Sequence, residues 1–185
     1  MAKYSGLHIP CLYRKGSGGD IFGNWSELDF HPANGRPYIV HRNNRTLTGQ
    51  LAIFNQNVTN VAGEFSSGNW SHDNLYNTIP GSGLDISLAF LSSGKYWITY
   101  GRSGAYDVRA VYNGTSFSTV DSPDSVGHYN SLAINSDGKP SVAYYDQTNN
   151  QLKYAEYSSG WSVTVVDTAG DVGKYCSHAY SPSGK

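Results

Sequence analysis

Ser131-Leu132-Ala133-Ile134-Asn135-Ser136-Asp137-Gly138-Lys139 decides the fold, because the chain carries this stretch three times. An earlier copy is Ser87-Leu88-Ala89-Phe90-Leu91-Ser92-Ser93-Gly94-Lys95, and a later one is Ser177-His178-Ala179-Tyr180-Ser181-Pro182-Ser183-Gly184-Lys185. The steps are 44 residues (87 to 131) and 46 residues (131 to 177). A fixed period in this range marks architectures in which one supersecondary unit packs on the next.

The copy spanning 131–175 shows what the unit is. Ser131–Asn135 is a short apolar strand, and Ser136-Asp137-Gly138-Lys139 is a turn whose Asp-Gly supplies positive φ. Ser141–Tyr145 is a second strand, Asp146–Asn150 a polar loop, Leu152–Tyr157 a third strand, and Trp161–Val166 a fourth. Period-two alternation punctuated by Gly, Asn, Asp and Ser is the signature of a β-meander. Helical periodicity is absent. The neighbouring copy has the same four beats at Ser87–Phe90, Tyr96–Tyr100, Tyr106–Tyr112 and Ser116–Val120. A more divergent copy starts at Glu27-Leu28-Asp29-Phe30 and runs through a longer tail to Ser82.

A four-stranded meander repeating at about 45 residues predicts an all-β chain built as a β-propeller or a section of one. Blade-like repeats are expected near 27–82, 85–129 and 130–175. The pattern Ser-Leu-Ala, Gly-Lys-Pro, Tyr144-Tyr145-Asp146, Leu152-Lys153-Tyr154-Ala155, Gly160-Trp161 and Val166-Asp167-x-x-Gly170-Asp171-Val172-Gly173 resembles a bacterial β-propeller repeat family, broadly sialidase-like in shape. The resemblance covers 85–185 closely and 20–65 loosely. It implies a fold and leaves the chemistry open, because propellers host many activities.

Composition narrows the classes. Charged residues are 15% and aromatics 14%, with 15 Tyr and 21 Gly, a profile of a turn-rich β protein rather than a disordered chain. Net charge is −1 and no basic run occurs, which argues against nucleic acid as a partner. No apolar run approaches the roughly 18 residues of a membrane span. The first residues, Met1-Ala2-Lys3-Tyr4-Ser5-Gly6, lack the apolar region of a signal peptide. The Tyr, Asn, Ser and Gly content nevertheless favours an extracellular or virion-associated setting. The six His are scattered and no Cys-x-x-Cys occurs, so neither a metal nor another cofactor is expected.

The repeats run out of phase with the termini. The last copy stops in the turn after a first strand, while Leu7–Tyr13 reads as a second strand without a first. Residues 7–13 and 176–185 are therefore expected to form a half blade, within one chain or between two. A homodimer completing a propeller, a truncated or open form of a longer propeller, and a compact monomer ring are the three alternatives. Cys11 and Cys176 fall within about one residue of facing each other in that hairpin, which makes them a candidate disulfide.

Loops after second and fourth strands share one face of a propeller. An aromatic residue recurs before the first strand (Trp25, Tyr129, Tyr175), as does an acidic one (Asp20, Asp124, Asp171). Aromatic faces stack on sugar C–H surfaces while carboxylates bind hydroxyls. The candidate ligand-binding residues are Trp25, Arg102, Asp124, Tyr129, Asp146, Asp171 and Tyr175, with a glycan or surface polysaccharide as expected partner. The same residues serve equally as packing and turn-capping positions. A sialidase-like glycosidase is the alternative function, with Arg42 and Arg102 at comparable strand ends; a structural or protein-interaction module is the third.

Overall fold

The computed structural model describes residues 22–43, 48–54, 70–74, 82–102, 104, 106–122 and 124–181. These residues form three four-stranded antiparallel sheets and no helix. The first sheet comprises β1 (Phe22–Phe30), β2 (Pro37–Asn43), β3 (Thr48–Phe54) and β4 (Trp70–Asn74). The second comprises β5 (Ser82–Phe90), β6 (Tyr96–Arg102), β7 (Asp107–Tyr112) and β8 (Ser116–Asp121). The third comprises β9 (Val126–Ile134), β10 (Pro140–Asp146), β11 (Gln151–Tyr157) and β12 (Trp161–Asp167). Strands within each sheet lie in sequence order, as a meander requires, and the sheets are blades of a β-propeller.

The turn between first and second strand recurs in each blade. In the third it is closed by Gly138 N–H donating to Asn135 O (3.0 Å) and Asn135 N–H to Lys139 O (3.0 Å). Of the Asp-Gly pair only Gly138 takes the left-handed region, at φ +77.

The apolar core lies between blades rather than inside any one. Val40, Leu51, Ile86, Leu88, Ile98, Tyr100 and Val111 join the first blade to the second. Trp97, Val108, Ala110, Val120, Val126, Leu132, Val142, Tyr144 and Ala155 join the second to the third. Second strands are covered on both faces, and every residue of β10 is buried. That explains the near-continuous apolar reading of Val142-Ala143-Tyr144-Tyr145.

First strands begin earlier than their apolar runs suggest, at Ser82 and Val126 rather than Ser87 and Ser131. The pairing continues past bulges, at Leu84–Ile86 in β5 and between His128 and Ser131 in β9. Polar residues tolerated at the bulge hide the strand from a periodicity argument.

One hydrogen bond repeats from blade to blade along these first strands. Glu27 Oε2 accepts from Leu88 N–H (3.0 Å), Ser87 Oγ from Leu132 N–H (2.9 Å), and Ser131 Oγ from His178 N–H (3.2 Å). Each acceptor stands at the same repeat position, and each donor one position further on. The segment 176–181 thus lies against the third blade as the first strand of a fourth would. Ser141 Oγ meets His178 Nε2 at 2.8 Å, and the Tyr154 and Tyr180 hydroxyls meet at 3.1 Å. The expected partner segment 7–13 lies outside the described residues.

A buried ionic network ties the second blade to the third. Lys153 Nζ sits 2.8 Å from Asp146 Oδ2 and 3.2 Å from Asp121 Oδ2, and Tyr144 donates its hydroxyl to Asp121 at 2.8 Å. Asp146 also accepts from Asn149 and Gln151. Burial alone would raise the Asp146 carboxyl, but the bonds from Lys153, Asn149 and Gln151 outweigh it and hold it at about 2.

Three outcomes follow for stability, each read by urea unfolding. Ser87 is 1% exposed, so Ser87→Ala leaves the Leu132 N–H buried without its acceptor and should cost about 1–3 kcal/mol; Ser136→Ala in the exposed turn should be near neutral. Gly127→Ala should cost about 2 kcal/mol or more, because φ is +92 and a Cβ would lie 2.4 Å from Val108 Cγ2; Gly160→Ala, which meets nothing within 4 Å, is the control. The Asp146 carboxyl is depressed from 3.8, so its contribution is full above pH 3.8 and is lost as pH falls towards 2. Asp146→Asn should therefore lower stability at neutral pH and flatten its decline over that acid range; an unchanged acid slope would refute this.

Candidate functional site

The site grows from the lead-in to each first strand. Val126 N–H donates to Tyr106 O (3.1 Å), and one repeat later Val172 N–H donates to Asn150 O (3.2 Å). The glycine that follows presses on the preceding blade. A Cβ on Gly127 would strike Val108, and one on Gly173 would lie 2.9 Å from Leu152 Cα. Two residues on, the chain turns through the left-handed region at Asp85 (φ +53), Tyr129 (φ +54) and Tyr175 (φ +56). Asp85 stabilises the arrangement by accepting from Tyr129 N–H (2.7 Å), while its backbone carbonyl accepts from Asn130 Nδ2 (2.8 Å). A bulky residue with left-handed φ carries roughly 1–2 kcal/mol of backbone strain.

This backbone brings three tyrosines together. The rings of Tyr129 and Tyr175 lie 4.4 Å apart between centroids, tilted by 46°, and Tyr145 lies 6.1 Å from Tyr129. Tyr175 is 81% exposed. The Tyr145 hydroxyl is 2.6 Å from Asp171 Oδ1 and 2.8 Å from Asn150 Oδ1. Lys174 forms an ion pair with Asp171, and its Nζ sits 5.3 Å above the Tyr145 ring.

The electrostatics follow from these contacts. The Tyr129 phenol is raised above its ordinary value by its bond to Tyr175. Tyr145 is raised by its bond to Asp171. Asp171 is lowered by Lys174, and Lys174 is raised by Asp171. At neutral pH the site is an aromatic platform edged by one carboxylate and one ammonium. It offers ring faces for C–H surfaces and both donors and acceptors for hydroxyls.

Of the sequence-derived candidates, the fold brings Tyr129, Tyr175 and Asp171 together. The others are placed apart. Asp146 is buried in the Lys153 network. Arg102 makes a two-pronged ion pair with Asp107, both bonds at 3.0 Å, and Arg109 shares that carboxylate at 2.7 Å. Asp124 accepts from Asn149 Nδ2 at 3.2 Å. Asp124 and Asp171 are not repeat-equivalents: the Val126 and Val172 bonds put Asp171 in register with Ser125. Trp25 holds the β1 position that Asp85 holds in β5, and its side chain lies outside the described residues.

Of the expected Cys11–Cys176 pair, only Cys176 falls within the described residues. Cys176 is a free thiol, donating to Tyr129 O at 2.8 Å, and burial pushes it up to about 11. Cys11 lies outside the described residues. Tyr145, Asn150 and Lys174 were not singled out from sequence. Their signal was available in the repeat alignment, where Gly173-Lys174-Tyr175 matches Gly127-His128-Tyr129. Among the described residues no cluster of three metal-ligating side chains occurs.

No protein-family model and no curated protein matches the chain. Solved structures give distant matches. An exo-β-1,3-galactanase from Clostridium thermocellum is 13% identical over 76% of this chain and 34% of that one, with a TM-score of 0.49. A mutant of AofleA from Arthrobotrys oligospora is 8% identical over 88% of this chain and 63% of that one, at 0.42. Puromycin hydrolase is 16% identical over 77% of this chain and 24% of that one, at 0.42. The chain spans less than two thirds of each of these proteins.

Proposed function

We propose that this chain is a non-catalytic carbohydrate-binding module whose platform is the Tyr129–Tyr175 pair. The observation that carries the reading is Tyr175 itself. Its backbone takes a left-handed φ of +56 while the residue stays 81% exposed, so burial does little to offset the strain. A ring kept in solvent beside Asp171 and Lys174 suits a ligand with both flat C–H faces and hydroxyls.

At the platform edge, binding is favoured over glycoside hydrolysis by the state of Asp171. Hydrolysis calls for a carboxylic acid able to donate a proton, and Asp171 is held ionised by Lys174 and Tyr145. Asp146 is committed to Lys153, and Arg102 to Asp107.

A glycan array carrying cello-, chito- and galacto-oligosaccharides tests the reading. The intact chain should retain at least one series. Tyr175→Asn keeps a residue suited to left-handed φ but removes the ring, and should weaken binding about tenfold or more. Its unfolding midpoint should stay close to that of the parent, since the ring is exposed. Full binding by Tyr175→Asn, or no retention by the intact chain, overturns the proposal.

A further inference from the structure

The platform has a repeat-related counterpart at the boundary between the second and third blades, and the two differ at informative positions. Where the platform has Tyr145, the counterpart has Gly101; where it has Asn150, the counterpart has Tyr106; where it has Lys174, the counterpart has His128. The backbone is the same in both. Tyr106 and Asn150 take left-handed φ of +54 and +55, and each carbonyl accepts the next blade's lead-in N–H. The exchange of Tyr145 for Gly101 removes a ring from the middle of the site. What remains is a cleft lined by Gly101, Arg102, Gly104, Tyr106, Gly127 and His128.

Tyr106 forms one wall of this cleft and is 57% exposed. Its ring is therefore available in the same way as that of Tyr175. His128 also lines the cleft, and its ring centroid lies 6.3 Å from that of Tyr129. Cleft and platform therefore adjoin, with His128 between them. Two separate monosaccharide sites would have no need of that continuity.

We infer that the cleft is a second saccharide subsite, continuous with the platform, and that one oligosaccharide occupies both. This rests on the carbohydrate reading of the platform. One sugar unit stacks on Tyr129 and Tyr175, and a neighbouring unit enters the cleft against Tyr106, with the His128 ring facing its hydroxyls. The affinity gain then comes from chain length, because a second unit adds contacts without a second loss of translational freedom.

Titration calorimetry of the full chain with cello-, chito- and galacto-oligosaccharides of one to five units tests this. The parent should bind a tetrasaccharide about tenfold or more tighter than the corresponding monosaccharide. Tyr106→Asn places at 106 the residue that its counterpart position 150 already carries with the same φ, so the turn is preserved. That variant should lose the chain-length gain and keep the parent's monosaccharide affinity within about twofold. If Tyr106→Asn binds the tetrasaccharide as the parent does, or if the parent shows no chain-length gain, the cleft is not a subsite and the platform reading stands alone. If the parent binds none of the three series at any length, both readings fall together.

Discussion

The structure depends on one constraint: the first strand of each blade has an edge with no sheet partner, and its N–H groups must still be satisfied. A side chain from the preceding blade does this at the same position each time. Glu27, Ser87 and Ser131 accept from Leu88, Leu132 and His178. The bond sets the rotation and the vertical register between blades together, because it links a fixed side chain to a fixed backbone atom. In the first blade a longer acceptor is used. Burial raises the Glu27 carboxyl, and its bonds to Ser87 and Leu88 work against that rise.

Given that register, the lead-in segments have little freedom. Each must leave the outer strand of one blade, pass over the end of the second and third strands, and enter the next blade's first strand. Gly127 and Gly173 allow the close approach, since any Cβ there would overlap Val108 or Leu152. The reversal that follows falls on Asp85, Tyr129 and Tyr175. The platform is thus a by-product of blade spacing: the fold dictates where a left-handed residue will stand, and only its side chain was open to choice. At Asp85 that choice serves the next blade's backbone. At Tyr175 it serves nothing within the described residues beyond its contact with Tyr129.

Much of this was legible beforehand. Hairpin turns, four strands per unit and the period of the repeat all follow from residues with strong local preferences, such as Gly138 in its turn and the alternation of Leu152–Tyr157. Tyr129, Tyr175 and Asp171 were legible as recurring features before a first strand. Several aromatics were not separable from these by type alone. Trp97, Tyr112, Tyr157 and Trp161 form a packed cluster with centroid spacings of 5.0 to 6.0 Å, so their abundance reports packing. Asp146 and Arg102 stand at loop positions where exposed side chains were anticipated, yet ion pairs across strands absorb them.

The amino-acid sequence by itself determined the unit, its period and the residues available at each lead-in, because turn chemistry and alternation act over a few neighbouring positions. Tertiary structure alone decided which of those residues meet. The Tyr129–Tyr175 contact joins positions one repeat apart, and the Asp121–Lys153 pair joins different blades. The contrast between Tyr145 and Gly101 likewise acquires meaning only when blades are superposed in register. Such contacts depend on the rotation between successive sheets, and that rotation is set by packing and by the Ser87 and Ser131 bonds rather than by any local preference.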